Sequence, residues 1–435
     1  MSHARKMARH SPLSSLWNGN CGVTPGGWGC GFVNCNEIYF LRFVIGKGGL
    51  GGQGLGPEAT DGFKLNVSDE LVRSTANALV DTGLAKLGYD HVLIDDGWQD
   101  SERDTDGKLA ANHTRFPGGI SATASYVHSK GLKVGIYSDA GIFTCGKYPG
   151  SYGYEEIDAQ TFAGWGVDYL KYDNCGGFQS NTLSVQERFL KMSYALAASG
   201  RQIFYSLCEW GNQFPWLWAD QIGESYRMSG DIYSSFAKDR ASICKTAYCM
   251  NQGYAGVSVL TMIRKMREIS PFSKPGSWAD MDMLEIGTWT MTELEEQTHF
   301  SFWAALKSPL IIGADLKNIS DTSLAIYKNK DIIALNQDDA GKPAVYLPKL
   351  SEEGSYQVWA GPLSSGKRRH VILVQNYGSG DVDVGISLED IPGLFVEQQL
   401  KIRDVWAGKA ITASGGKVSL KGIKPTQTKV LVISR

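Results

Sequence analysis

Aspartates recur in this sequence at the ends of short apolar runs. Asp95 and Asp96 follow Tyr89-Asp90-His91-Val92-Leu93-Ile94 and precede Gly97-Trp98, Asp173 closes the run from Val167, Asp231 follows Ser225 to Ser229, and Asp280 and Asp282 lie within Ser277 to Met283. Any one of them is compatible with a helix cap or a turn. All of them at equivalent strand ends point instead to one shared site. Carboxylate clusters have two main uses: holding a divalent cation, or performing acid and nucleophilic catalysis on a glycosidic bond. A metal site needs further ligands, yet His3, His10, His91, His113, His128, His299 and His370 all stand away from these strand ends. Lys171 and Arg227 sit among the aspartates, where they would repel a cation and donate hydrogen bonds to sugar hydroxyls. Trp98, Tyr137 and Trp210 offer faces on which a pyranose can stack. The residues therefore favour glycoside chemistry without a cofactor, and a metal-dependent enzyme is the alternative.

Positioning such a rim requires a parallel barrel. From about Asn66, short apolar runs alternate with amphipathic stretches, the pattern of repeated βα units. A helix is expected in Asp69 to Leu87, and strands in Tyr89 to Asp95, Leu132 to Tyr137 and Val167 to Asp173. Further strands are expected in Gln202 to Cys208, Ser225 to Ser229, Ser277 to Met283 and Leu310 to Gly313, with a helix over Glu293 to Leu306. An eighth strand must precede the first helix, and Ile38 to Ile45 fits one by composition. The expected class is thus α/β, a (β/α)₈ TIM barrel, whose active sites lie at the C-terminal strand ends. Alternation on the fourth strand puts Tyr169, Lys171 and Asp173 on one face and Leu170 and Tyr172 on the other. An inward lysine beside Asp173 would hold that carboxylate ionised; a buried ion pair that merely fills the barrel is the plainer reading. After about Pro343 strands follow one another without helices, as in Tyr356 to Ala360, His370 to Gln375, Val382 to Ile386 and Lys429 to Ile433, which predicts a C-terminal antiparallel β-sandwich. The expected division is 1–62 as an aberrant, misassembled N-terminal segment that includes the uncertain first strand, 63–340 as catalytic barrel and 341–435 as sandwich.

The bulk composition narrows the partners. With 43 basic and 45 acidic residues the formal charge is −2, which offers no long-range attraction to nucleic acid or an anionic membrane. No apolar run is long enough to span a bilayer, and the first residues lack the apolar core of a secretory signal. Met1 to Asn36 contains no acidic residue and carries Arg5, Lys6 and Arg9, a bias shared by organelle transit peptides and by unstructured leaders. The eight cysteines form no zinc spacing. Asn66-Val67-Ser68, Asn112-His113-Thr114 and Asn318-Ile319-Ser320 are glycosylation sequons, which suit a secreted protein and also arise by chance.

Tyr169-Leu170-Lys171-Tyr172-Asp173-Asn174-Cys175 and Arg227-Met228-Ser229-Gly230-Asp231-Ile232 resemble the α-galactosidases of glycoside hydrolase family 27. Leu93 to Trp98, Gly135 to Asp139, Tyr205 to Trp210 and Trp278 to Leu284 extend the resemblance from about Asn66 to the C-terminus. It implies a retaining α-galactosidase in which Asp173 attacks the anomeric carbon and Asp231 protonates the leaving oxygen and then activates water. Those roles imply a depressed pKa at Asp173, a raised one at Asp231, and carboxyls about 5–5.5 Å apart. The resemblance further assigns Asp95 and Asp96 to the galactose 4- and 6-hydroxyls and Lys171 and Arg227 to other ring hydroxyls. Tyr137, Cys208, Trp210, Asp282 and Met283 complete the pocket. Cys145 and Cys175 resemble the family's disulfide beside the nucleophile, with two free buried thiols as the alternative; Cys244 and Cys249 are close enough for a second, local bridge. Cys208-Glu209-Trp210-Gly211 resembles the galactose-specific form of its loop rather than the N-acetylgalactosamine-specific one. The family implies an α-galactoside as partner and an extracellular setting.

The chain departs from the family at its start. Thr24-Pro25-Gly26-Gly27-Trp28 is similar to the opening of the family's first-strand motif, but Gly29-Cys30-Gly31 lacks the second tryptophan. The glycine-rich stretch that follows, Ile38 to Gly56, is expected to include misjoined sequence. A pocket left open there would make an impaired galactose-binding barrel, and an α-N-acetylgalactosaminidase is the other alternative.

Overall fold

The structure is a computed structural model that describes residues 41–45, 66–176, 183–239, 256–364, 369–394, 396 and 400–434. The expected Cys244–Cys249 bridge and the Thr24 to Trp28 motif lie outside the described residues. Eight parallel strands form one sheet: β1 (Leu41–Ile45), β2 (Tyr89–Ile94), β3 (Lys133–Asp139), β4 (Tyr169–Asp173), β5 (Phe204–Leu207), β6 (Ser225–Arg227), β7 (Trp278–Asp280) and β8 (Leu310–Ile312). Their order is β7-β6-β5-β4-β3-β2-β1-β8, and a bridge between Leu284 and Ile312 joins the two ends into a closed barrel. The first strand falls within Ile38 to Ile45, the run offered for it by composition. Phe43 pairs with Val92 on one side and with Ile312 on the other.

Helices α1 (Asp69–Asp81), α2 (Gly119–Ser129), α3 (Glu155–Trp165), α4 (Val185–Ala198), α5 (Val259–Ile269), α6 (Glu293–Ala305), α7 (Asp321–Tyr327) and α8 (Lys330–Asn336) wrap the barrel. The expected helix over Asp69 to Leu87 ends at Asp81 and resumes as one 3₁₀ turn, Ala85–Leu87. Between β5 and β6 the turns Pro215–Leu217 and Ala219–Gln221 take the place of a helix, because proline at the start and glycine after Ile222 leave too short a run. Starts are set locally: Ser184 with Glu187 and Thr292 with Glu295 form capping boxes on α4 and α6, each satisfying otherwise orphaned backbone N–H groups.

Side-chain alternation sorts the barrel into two cores. Leu93, Tyr169, Phe204, Met283 and Ile311 pack inside it, where the Tyr169 and Phe204 rings stack with centroids 5.2 Å apart. Leu170, Tyr172 and Ile94 face the helices. The C-terminal domain holds a six-stranded antiparallel sheet of β9 (Val345–Tyr346), β10 (Tyr356–Pro362), β11 (His370–Asn376), β13 (Lys401–Asp404), β14 (Lys409–Ile411) and β16 (Thr428–Ser434), with β12 (Val382–Ser387) and β15 (Lys417–Ile423) as a second sheet. Val358, Ile372, Ile386, Leu420 and Leu431 form the core between them. Trp406 Nε1 donates to Ser301 Oγ at 2.8 Å and Thr298 Oγ1 to the Thr426 carbonyl at 2.6 Å, fixing this domain to α6. Among the described residues, no helix is long and apolar enough to cross a membrane.

Candidate active site

At the C-terminal mouth of the barrel the aspartates singled out in the sequence are joined by a continuous chain of contacts. Lys171 Nζ pairs with Asp95 Oδ2 at 2.6 Å and lies 5.3 Å from the centre of the Tyr137 ring. The Tyr137 hydroxyl donates to Asp173 Oδ2 at 3.1 Å, and the Asn174 N–H to Asp173 Oδ1 at 2.9 Å. Across the mouth, Arg227 Nη2 pairs with Asp231 Oδ1 at 2.9 Å and with Asp282 Oδ2 at 2.8 Å. Asp282 also accepts the Ile232 N–H, so the seventh strand end holds the loop that carries Asp231. Asp96 is fully buried and accepts the N–H groups of Gly97 and Gly146. Cys208 and Trp210 pack against Cys145, which is disulfide-bonded to Cys175 with Cα atoms 5.0 Å apart. A central cavity is lined by Asp95, Lys171, Arg227, Asp280, Asp282 and Met283 over an apolar floor of Leu93, Tyr169 and Ile311.

The two carboxylates proposed for chemistry have opposite surroundings. Asp173 is 2% exposed, whereas the Asp231 side chain is 31% exposed at the mouth. Burial raises the Asp173 pKa to about 7; Lys171 lowers it and Asp231 raises it. The direction is the reverse of the depressed value expected from the sequence, because desolvation of a fully enclosed carboxyl outweighs one nearby ammonium. Asp96 is raised to about 6, chiefly by burial, with the Gly146 N–H acting against it. Arg227 is pushed well above its ordinary value: burial opposes the charge, but Asp282 and other negative neighbours outweigh it. Among the described residues its Nε is buried with no partner, and Arg227 lines the cavity.

Two site residues, Trp210 and Asp282, adopt left-handed backbone with φ of 60° and 72°. Such conformations cost an ordinary residue roughly 1–3 kcal/mol and concentrate at functional sites. Beside Trp210, only glycine fits at 211: a Cβ there would stand 2.3 Å from the Met228 carbonyl oxygen. The fifth and sixth strand ends are thereby pressed together around Cys208 and Arg227.

Trp98 corrects the sequence reading. It is fully buried, donates from Nε1 to the Tyr137 carbonyl at 2.9 Å, and meets Trp165 edge-on at 5.6 Å. It is wall rather than stacking platform, since Gly97, with φ of 94°, turns the chain after Asp96. Asp139 was not singled out. It is fully buried and accepts the N–H groups of Gly141, Cys175 and Gly176 at 2.7, 2.7 and 3.2 Å. Its Cα is in register with that of Asp173. The signal was present, since Asp139 shares a strand face with Tyr137.

A family model described as Alpha galactosidase A matches residues 58–338, and one described as the Alpha galactosidase C-terminal beta sandwich domain matches 353–433. Alpha-galactosidase 2 of Arabidopsis thaliana is 40% identical over 375 residues, covering 86% of this chain and 87% of that one. Among solved structures, α-galactosidase I from Mortierella vinacea superposes with a TM-score of 0.81 at 35% identity, covering 91% of this chain and 96% of that one. The α-galactosidase from Saccharomyces cerevisiae with raffinose gives 0.77 at 29% identity, covering 92% and 98%. A barrel whose rim gathers these aspartates, a sandwich behind it, and relatives matched along most of their length agree: the chain belongs to the α-galactosidases of glycoside hydrolase family 27.

Proposed function

We propose that this chain hydrolyses terminal non-reducing α-D-galactosyl residues from galacto-oligosaccharides, galactomannan or galactolipids by a retaining double displacement. The carrying observation is the pairing of a buried carboxylate, Asp173, held by Tyr137, with a mouth-facing one, Asp231, held by Arg227. Asp173 attacks the anomeric carbon while the bond to the aglycone oxygen breaks, and Asp231 gives that oxygen its proton. Asp231 then takes a proton from water, whose oxygen attacks the same carbon and releases Asp173, so two inversions give net retention. Asp173 must be ionised to attack, and the Lys171 ammonium favours that state most, with the Asn174 N–H acting in the same direction. Asp95 and Asp96 bind the 4- and 6-hydroxyls, Lys171 and Arg227 other ring hydroxyls, and Tyr137, Cys208, Trp210, Asp282 and Met283 shape the pocket. The S. cerevisiae enzyme structure with raffinose supports a galacto-oligosaccharide as one substrate class. The Cys145–Cys175 bridge and the sequons at Asn66, Asn112 and Asn318 support an extracellular setting.

The test is turnover of p-nitrophenyl α-galactoside by the full chain and by Asp173→Asn. The substitution is expected to abolish turnover and leave galactose binding largely intact. Retained turnover in Asp173→Asn would refute the assignment, and loss of activity on chelation would support a metal-dependent mechanism instead.

A further inference from the structure

The disulfide of this barrel lies against the reacting carboxylate. Cys145 Sγ is 3.5 Å from Asp173 Oδ2 and 3.3 Å from the Tyr137 hydroxyl. Asp139 stands on the other side, so that one ligand atom each from Asp139, Cys145, Asp173 and Cys175 lie within 4.8 Å of one another. The two carboxylates are anchored by backbone N–H groups and the Tyr137 hydroxyl, and each retains acceptor capacity. We propose that opening the Cys145–Cys175 bond turns these four groups into a binding site for a borderline-soft divalent cation, zinc or cadmium, which takes Asp173 as a ligand and silences the enzyme.

The oxidised protein lacks this site because a disulfide sulfur is a poor ligand and carries no charge. Reduction by a phosphine consumes one phosphine and one water, breaks the sulfur–sulfur bond, and yields two thiols and the phosphine oxide. Each thiol then loses its proton to solvent as its sulfur binds the metal, whose oxidation state does not change. Two thiolates and two carboxylates oppose the nearby Lys171 ammonium and select zinc or cadmium over magnesium or calcium, which prefer all-oxygen sites. Tetrahedral zinc with bonds of about 2.0–2.3 Å needs ligand atoms about 3.3–3.8 Å apart. The widest separations must therefore close by roughly 1 Å, and the two sulfurs, bonded in the oxidised protein, must part by about 2 Å, movements that rotation of two released cysteine side chains can supply. Cys145 is 9% exposed, Asp173 2% and Asp139 fully buried, so a bound ion would be shielded from competing water. The bridge thereby acts as a guard on the nucleophile: once it is opened, zinc or cadmium silences the chain.

The inhibitory half of this inference rests on Asp173 being the nucleophile; the metal site does not. Full-length protein, oxidised or reduced with a phosphine, is titrated with cadmium while thiolate-to-metal absorption is followed. Alkylation of each cysteine is mapped by mass spectrometry with and without the metal, which separates Cys145 and Cys175 from the other thiols. Turnover of p-nitrophenyl α-galactoside is measured with zinc before and after chelation. In the reduced protein, cadmium is expected to protect Cys145 and Cys175 from alkylation. Zinc at about 100 times its dissociation constant is expected to lower activity about 100-fold, reversibly, while the oxidised protein responds to neither ion. Asp139→Asn should weaken cadmium protection of both cysteines in the reduced chain. Unchanged alkylation of Cys145 and Cys175 in the presence of cadmium would overturn the site. Protection with undiminished turnover would overturn the claim that the ion takes Asp173 as a ligand, whereas turnover by Asp173→Asn tests the nucleophile itself.

Discussion

Replacing Lys171 by methionine keeps the length and apolar stem of the side chain and removes its charge. Two residues along one strand face place Lys171 about 7 Å from Asp173. At an effective dielectric of about 20, an ammonium at that distance favours the Asp173 carboxylate by roughly 2 kcal/mol, a little under two pH units. The sign follows from the chemistry: the nucleophile works ionised, so activity falls as pH drops through its pKa. Without Lys171, that pKa, already raised by burial, rises further. The acid limb of kcat/KM for p-nitrophenyl α-galactoside should therefore move up by between one and two pH units. Lys171→Arg should restore most of the shift. Lys171→Met also strips Asp95, whose side chain is 2% exposed, of its ion pair, at an expected cost of about 3–5 kcal/mol in stability. Denaturant unfolding reads that second effect separately. An acid limb that stays in place while activity drops uniformly would refute the claim that Lys171 sets the ionisation of Asp173.

Three further outcomes are expected. Burial raises the Glu209 carboxyl to about 9, with Arg188 acting against it, and both its oxygens are buried without partners among the described residues. Its native pKa lies above the unfolded one, so the stability present at acid pH is lost as pH rises toward 9; Glu209→Gln should gain thermal stability over the parent at pH 8 and not at pH 4. Arg103 forks onto the fully buried Asp158 with bonds of 2.7 and 2.8 Å, and Arg103→Met should cost about 3–5 kcal/mol in a denaturant titration, much of it recovered by adding Asp158→Leu. Trp210→Ala should raise turnover of p-nitrophenyl α-N-acetylgalactosaminide relative to the galactoside, measured as the ratio of kcat/KM values.

What the sequence disclosed and what it withheld have separate physical causes. The strands carrying Asp95, Asp173 and Asp282 were legible because a buried parallel strand is a short apolar run and its polar end stands out against it. Alternation placed Lys171 and Asp173 on one face, and the structure puts Tyr169 inside the barrel and Leu170 outside it. Trp98 was misread because nearness in sequence to the rim aspartates does not say which way a ring turns, and the chain turns at Gly97. β13 and β15 passed unnoticed since every second residue is a lysine, arginine or other polar group facing out, as in Lys401-Ile402-Arg403 and Lys417-Val418-Ser419. β1 was legible by composition within Ile38 to Ile45 despite the glycines that follow it. The direction of the Asp173 shift was illegible for a deeper reason: it depends on how completely the surrounding chain excludes water, which no local motif encodes.

The closure of the barrel has a consequence for how the molecule comes apart. Neighbouring strands elsewhere in the sheet pair through two or more registered positions, but β7 and β8 meet through the single bridge at Leu284 and Ile312, with Leu284 N–H bonded to the Ile311 carbonyl and Gly313 N–H to the Leu284 carbonyl. A ring opens first at its thinnest weld. Asp282 and Met283 are the residues immediately before that weld, and Asp282 grips both Arg227 and the backbone of Ile232. Fluctuations that part this seam would let go of the substrate cradle while the remaining strands stay paired, so loss of catalytic function should precede loss of the fold on warming.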